Sequence, residues 1–361
     1  MIQLLILIGT GFWAYNPDYW HTQMMFGQIG VVAWISYKIA RRINIFPAFA
    51  FFYFGVFSSL CMYSSSRISI PGKDISLILN AETARSFCFL LSVTIPFIFA
   101  TASDLKWWKR AFQIFAAIDS IMMIYRYFMT GAATGLIGMD SVDGTFVCLS
   151  LPLIIFSKEP IKEDKQICAV LILCAALMAR SSTVFAVLCL EALLWAFLVN
   201  KKSLRFLALL LCSGLLAYPI GRLYLGSELL QNNGRRDIHI LSYNTFKQVG
   251  AYWFGLGTGS FEAIMPTLQG LPERFFVFLH DEPLQILFEQ GAIGFGLLLA
   301  LYGVMIWRNR GNIPMLLVLI PAGFQSFLQP CFRYWLFAIF MAFLCRISFE
   351  ENDCLLAPKR H

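Results

Sequence analysis

The sequence is poor in charged residues, and this deficiency excludes most soluble folds. Asp, Glu, Lys and Arg together make up 14% of the 361 residues, whereas a soluble domain averages about 25%. Apolar residues account for 58% of the chain, and its mean hydropathy is +0.68. The composition predicts an all-α polytopic membrane protein in which residues 1–361 form a single membrane domain.

Other signals are also missing. The ten cysteines include no C-x-x-C pair and no Cys/His spacing of the kind that binds metal, so we predict neither a disulfide framework nor a metal site. No Gly/Ser-rich linker, acidic run, low-complexity tract or internal repeat divides the chain. The net charge of +7 does not indicate a nucleic-acid partner, because the basic residues form small clusters between apolar runs. The N-terminal "MIQLLILIGTGFWAY" lacks a basic region and a cleavage site, which favours a first span over a signal peptide.

Long apolar runs predict about twelve membrane spans. They cover residues 1–15, 23–38, 44–63, 84–102, 111–129, 144–157, 166–179, 182–199, 204–220, 284–307, 313–328 and 332–347. A basic cluster follows every even-numbered run, and short loops rich in Lys and Arg stay in the cytoplasm. Both termini are therefore predicted to be cytoplasmic. The longest extracytoplasmic loop then covers residues 221–283 and carries short amphipathic helices.

The positions of the basic clusters also resolve the longest apolar run. Residues 166–199 could form one helix, but basic clusters at both ends require an even number of crossings. The run must fold back on itself, and "ARSS" at residues 179–182 is the expected turn. Arg180 is then predicted to lie at the extracytoplasmic face.

His280 precedes an apolar run together with two carboxylates. Asp281 suits a helix N-cap and Pro283 suits the first turn, so a membrane helix is predicted to begin just after His280. The partial positive charge of a helix N-terminus favours a neutral imidazole and attracts anions such as phosphate. Asp281 or Glu282 would fix the tautomer of the imidazole. The alternative is an interfacial histidine beside a capping aspartate.

Arginines near the same face are candidates for anion binding. Arg235 and Arg236 begin the amphipathic stretch "RRDIHILSYNTFKQV", which predicts a short helix along the membrane surface. Together with Arg180, they could bind a pyrophosphate bidentately. Snorkelling to lipid headgroups is the alternative for all three.

Two further features accompany these residues. Gly257 lies within "FGLGTGSF", whose glycines permit a tight loop but do not form a dinucleotide-binding motif. Glu289 lies nine residues after His280, about half a turn away around a regular helix. It is therefore expected to pair with a neighbouring helix.

The order of these motifs resembles that of the O-antigen ligase and polymerase superfamily. "HDEPLQILFEQGAIG" resembles its signature of a histidine followed by Leu, Glu-x-Gly and a further Gly at the start of a membrane helix. Upstream, "ARSS", "NGRRDIHI" and "FGLGTGSFE" stand where the family has an arginine turn, a Gly-Arg motif and a glycine loop. "GLIGMDSVDGTF" resembles an earlier loop of the family. The likeness covers roughly residues 130–305.

This resemblance implies an inverting, metal-independent membrane glycosyltransferase of the GT-C class that needs no cofactor. The donor would be a glycan on undecaprenyl pyrophosphate in the bacterial inner membrane, with the active site on the periplasmic face. The acceptor would be lipid A–core, a second lipid-linked glycan or a protein. Arg180 and Arg235 or Arg236 would bind the pyrophosphate, and His280 would be the catalytic residue. Asp281, Glu282, Glu289 and Gly257 would support them.

A flippase for lipid-linked oligosaccharides, or a polysaccharide transporter, is the alternative function. Twelve spans and an arginine-lined cavity would suit either activity. Such proteins, however, tend to carry charges along a path that is accessible from both faces, whereas these candidates are predicted to lie at one face.

Overall fold

The computed structural model describes residues 89, 93, 96–97, 100–156, 162–198, 235–250, 252–256, 259–261, 279, 281–329 and 333–349. This part of the chain is helical and contains no strand, as an all-α fold requires. The predicted spans at residues 1–15, 23–38, 44–63 and 204–220 lie outside the described residues, as does most of the span at 84–102.

Eight helices make up the described part of the chain. They are α1 (Ala102–Thr130), α2 (Asp140–Ile155), α3 (Lys162–Met178), α4 (Ser182–Leu198), α5 (Arg235–Val249), α6 (Glu282–Arg308), α7 (Ile313–Ser326) and α8 (Trp335–Ser348).

Local sequence signals set the helix boundaries. Thr101 and Asp104 form a reciprocal capping box at the start of α1, and Gly131 ends that helix with a positive φ of 78°. Asp281 caps α6 through its side chain, and Pro283 lies in the first turn. The predicted start of this helix is thus confirmed. The long run at residues 166–199 is divided between α3 and α4, which confirms the predicted break near Arg180.

The core forms around α2, which packs against α1, α3, α4 and α7. Aromatic rings fill the space between the helices. The ring of Phe340 on α8 lies 5.1 Å from that of Phe112 on α1 and 5.2 Å from that of Phe146 on α2. Edge contacts of this kind add to the burial of large apolar surfaces.

Several helices meet at one end of the bundle, which we call the polar end. There α1, α3 and α7 finish, and α2, α4, α6 and α8 begin. The hydroxyl of Tyr334 lies 3.0 Å from the sulfur of Met139, and Ser141 donates to Oε1 of Gln329 at 3.2 Å. The polar end therefore joins loops that are far apart in sequence.

Only α6, among the described helices, is both long and apolar enough to cross a membrane unaided. Shorter apolar helices cover Lys165–Met178, Ser182–Leu198, Ile313–Ser326 and Trp335–Ser348. The count of twelve spans stays a prediction, as does a single membrane domain with a long loop at residues 221–283.

Candidate functional site

Part of the predicted site lies beyond what the structure describes. His280 and Gly257 are outside the described residues, and so are the side chains of Arg235 and Arg236. The backbone of α5 does begin at Arg235. The described residues next to these positions show which parts of the chain surround the site.

The segment that flanks His280 is fixed on both sides. The carbonyl oxygen of Leu279 lies 2.9 Å from Nε2 of His239 on α5. Because a carbonyl only accepts, Nε2 carries the proton and donates it. The Leu279 nitrogen donates to Oε1 of Gln285 at 3.2 Å. On the other side, the carboxylate of Asp281 accepts from the Leu284 nitrogen at 3.0 Å, and burial raises the pKa of that carboxyl.

The helix α5 is amphipathic, as its sequence predicts. Its buried positions repeat at helical spacing and are Ile238, Ser242, Thr245 and Phe246. The opposite face exposes Ile240, Tyr243 and Lys247. Since His239 joins α5 to Leu279, the helix that begins with the two candidate arginines is attached to the residue next to His280.

The helix α6 is broken at a point where the glycine-rich segment upstream of it forms hydrogen bonds with its backbone. Gly291 has a φ of 67° and a ψ of −169°, which interrupt the helix. Residues 252–256 supply hydrogen-bond partners at this break. The nitrogens of Ala292 and Ile293 donate to the carbonyls of Tyr252 and Trp253 at 2.8 and 3.2 Å. The Leu256 nitrogen donates to the Phe288 carbonyl at 2.9 Å. Where a helix is broken, the backbone groups that lose their partners must form hydrogen bonds with another segment.

An ion cluster joins α6 to the segment before α8. Arg333 contacts Oε2 of Glu282 through Nε at 3.3 Å and Oε2 of Glu289 through Nη2 at 3.2 Å. The two carboxylates are seven residues apart, so they lie on one face of α6. The Gly259 nitrogen also donates to Oε2 of Glu289, at 3.0 Å. Glu289 therefore holds the glycine-rich segment and Arg333 at the same time.

Sequence reasoning missed both Arg333 and His239. Arg333 stands alone in "QPCFRYWLF", near the start of a predicted span, where a snorkelling residue is the ordinary expectation. The only signal in its favour was the presence of two carboxylates, Glu282 and Glu289, at a spacing of seven in a membrane helix.

A second polar cluster fills the loop between α1 and α2. The carboxylate of Asp143 accepts hydrogen bonds from four backbone nitrogens at 2.8–3.2 Å, those of Gly135, Ile137, Gly138 and Met139. Asp119 accepts from the intervening Leu136 nitrogen. Both carboxylates are fully buried. The loop that resembles part of the superfamily is thus wrapped around two acidic side chains.

Arg180 contacts the end of α1, the helix that carries Asp119. Its guanidinium donates to the hydroxyl of Tyr127 and lies 5.0 Å from the centre of the same ring. Arg180 is exposed, and its φ of 49° is unusual for a residue other than glycine. It therefore lies at the polar end, but its described contacts are with α1.

No protein-family profile matches the chain, and no curated protein matches it.

Proposed function

We propose that the protein is a membrane glycosyltransferase that moves a glycan from undecaprenyl pyrophosphate to an acceptor hydroxyl. One observation carries this proposal. Hydrogen bonds join the segments that carry the motifs "NGRRDIHI", "FGLGTGSFE" and "HDEPLQILFEQGAIG". His239 contacts Leu279, the residue before His280, and the nitrogens of Leu256 and Gly259 donate to Phe288 and Glu289. The acceptor is lipid A–core in a ligase or a second lipid-linked glycan in a polymerase.

The exposed residues support a membrane location. Aromatic side chains are exposed near the polar end (Tyr125, Phe128, Tyr243 and Phe327) and near the opposite end (Trp107, Trp195, Trp307 and Phe349). Aliphatic side chains are exposed between them, including Ile121, Val170, Leu173 and Leu299. Aromatic belts at both interfaces with aliphatic residues between them are typical of helical membrane proteins.

The distribution of charge supports an extracytoplasmic polar end. Basic residues lie at the opposite end, where α1 begins and α6 and α8 end; they are Lys106, Arg110, Arg308, Arg310 and Arg346. Cytoplasmic loops carry such an excess of Lys and Arg. The candidate site would then face the bacterial periplasm, where lipid-linked glycans are displayed after export.

The proposed reaction needs a base, an acceptor and a stabilised leaving group. His280 accepts the proton of the acceptor hydroxyl, whose oxygen attacks the anomeric carbon. The bond from that carbon to the pyrophosphate oxygen breaks with inversion, and undecaprenyl pyrophosphate leaves. Arg180 and Arg235 or Arg236 stabilise the charge that develops on the departing oxygens. A donor anchored in the membrane accounts for a polar site at the mouth of membrane helices.

Reconstitution in vesicles tests this function. The purified protein is supplied with a glycan on undecaprenyl pyrophosphate and with either lipid A–core or excess lipid-linked glycan. The expected result is a new glycosidic product together with free undecaprenyl pyrophosphate. Movement of intact donor across the bilayer without cleavage would instead identify a flippase and contradict the proposal.

A gene deletion separates the two acceptors in the cell. Loss of all polymer from lipopolysaccharide, with the core retained, identifies a ligase. Core carrying a single repeat identifies a polymerase. Unchanged lipopolysaccharide would mean that neither acceptor is used.

A further inference from the structure

Three polar contacts connect Arg333 to the residue next to His280. Nη2 of Arg333 contacts Oε2 of Glu289 at 3.2 Å, and Oε1 of Glu289 accepts from Nε2 of Gln285 at 3.0 Å. Oε1 of Gln285 then accepts from the Leu279 nitrogen at 3.2 Å. The series starts just before α8 and ends one peptide bond before His280.

The direction of these hydrogen bonds is determined by chemistry. An ionised carboxylate only accepts, so the amide nitrogen of Gln285 must face Glu289. Its amide oxygen is then turned towards Leu279, whose backbone nitrogen only donates. Leu279 and Glu289 therefore both require the same orientation of the Gln285 amide.

Arg333 holds the Glu289 side chain in place. The side chains of Glu289 and Glu282 are 1% and 2% exposed, and that of Arg333 is 20% exposed. A carboxylate so deeply buried needs a compensating charge. The planar guanidinium contacts both carboxylates at once, through Nε and Nη2. A lysine has one ammonium group and no planar fork, so it cannot reproduce this geometry.

We propose that Arg333, Glu289 and Gln285 form a positioning relay for His280, with Arg333 as its anchor. The relay fixes the backbone nitrogen of Leu279 from the α6 side. His239 fixes the carbonyl oxygen of the same residue from the α5 side. The position of the imidazole relative to the acceptor hydroxyl then depends on Arg333, which does not itself touch the substrate. This inference rests on the proposed glycosyltransferase function.

The test compares Arg333→Lys with the wild type in the vesicle assay. A small displacement of a catalytic group lowers turnover strongly, so we expect kcat to fall about 10- to 100-fold. The KM for the lipid-linked donor should change by less than about twofold, because the relay is not expected to bind the pyrophosphate. Arg308→Lys is the matched control at the far end of α6, where Arg308 is exposed, and it should leave both parameters unchanged.

Gln285→Met provides a second test that leaves every charge in place. It removes the amide between Glu289 and Leu279 and substitutes an apolar side chain of similar length. The expected loss of kcat matches that of Arg333→Lys, and this variant decides the matter if Arg333→Lys does not fold. Normal turnover by either folded variant would overturn the relay, as would a rise in KM with kcat unchanged.

His280→Ala distinguishes failure of the relay from failure of the proposed function. If His280→Ala is inactive but Arg333→Lys and Gln285→Met turn over normally, only the relay is wrong. If His280→Ala remains active, the proposed function is wrong and the relay has no reaction to serve.

Discussion

Gly255 and Gly291 pack backbone to backbone where α6 is broken. A β-carbon on Gly291 would lie 2.5 Å from the Gly255 nitrogen, and one on Gly255 would lie 2.3 Å from the carbonyl carbon of Glu289. Both residues also have a positive φ, of 67° and 69°. This contact brings the glycine-rich segment close enough to satisfy the freed backbone groups of α6. It therefore positions the carboxylate of Glu289 as well.

Alanine at either glycine should destabilise the protein. Gly291→Ala and Gly255→Ala combine a left-handed backbone with a steric clash, so we expect a loss of about 2–5 kcal/mol in the free energy of unfolding. Gly250→Ala is the control, because Gly250 has a φ of 69° but nothing within 4 Å of its β-carbon position. It should cost only about 1–2 kcal/mol. Thermal unfolding in detergent measures all three, and equal losses would contradict the close packing.

Replacing the two buried aspartates with asparagine, one at a time, should change the free energy of unfolding by different amounts. Asp143→Asn places an amide nitrogen among four backbone donors, and we expect a loss of about 1–3 kcal/mol in the free energy of unfolding. Asp119→Asn keeps an oxygen for the Leu136 nitrogen, so its loss should be below about 1 kcal/mol. The same unfolding assay compares them. A larger loss for Asp119→Asn would show that the loop does not depend on Asp143.

Replacing Arg180 with glycine should separate its function from its effect on stability. Glycine relieves a φ of 49°, and this gain of about 1 kcal/mol offsets the lost contacts with Tyr127. The unfolding temperature should therefore be almost unchanged. Transfer in the vesicle assay should fall about 100-fold or more, because one cation is lost from the leaving-group site.

Tyr127→Phe is the control for Arg180. It removes the hydroxyl that the guanidinium contacts but leaves the arginine and the aromatic ring in place. Transfer by Tyr127→Phe should stay within about threefold of wild type, since a lost neutral hydrogen bond contributes little. If Arg180→Gly is as active as Tyr127→Phe, Arg180 does not bind the pyrophosphate.

Features that depend on local sequence were predicted well. The cap at Asp281, the break near Arg180 and the amphipathic helix that begins at Arg235 each follow from a few neighbouring residues. The interruption of α6 at Gly291 was not predicted. A single glycine is tolerated in many membrane helices, and the break is stable only because a segment about forty residues upstream supplies partners.

The polar contacts of the site were harder to predict because they join distant parts of the chain. Arg333 follows Glu289 by 44 residues and His239 precedes Leu279 by 40. Arg333 belongs to no motif, and hydropathy alone identifies it as an interfacial cation. His239 lies within "NGRRDIHI", but nothing in that motif predicts its contact with Leu279. Asp119 lies in α1, and Asp143 lies in the quoted loop "GLIGMDSVDGTF". Their shared role in shaping the loop at residues 131–139 depends on tertiary packing.

Replacing His280 with alanine shows whether its imidazole is the general base of the transfer. Donor binding and the rate of a single round of transfer are measured on the same vesicles, with undecaprenyl pyrophosphate as the detected product. We expect His280→Ala to bind the donor normally while its rate of transfer falls about 100- to 10,000-fold, the usual contribution of a general base. Transfer at the wild-type rate by His280→Ala would contradict this expectation.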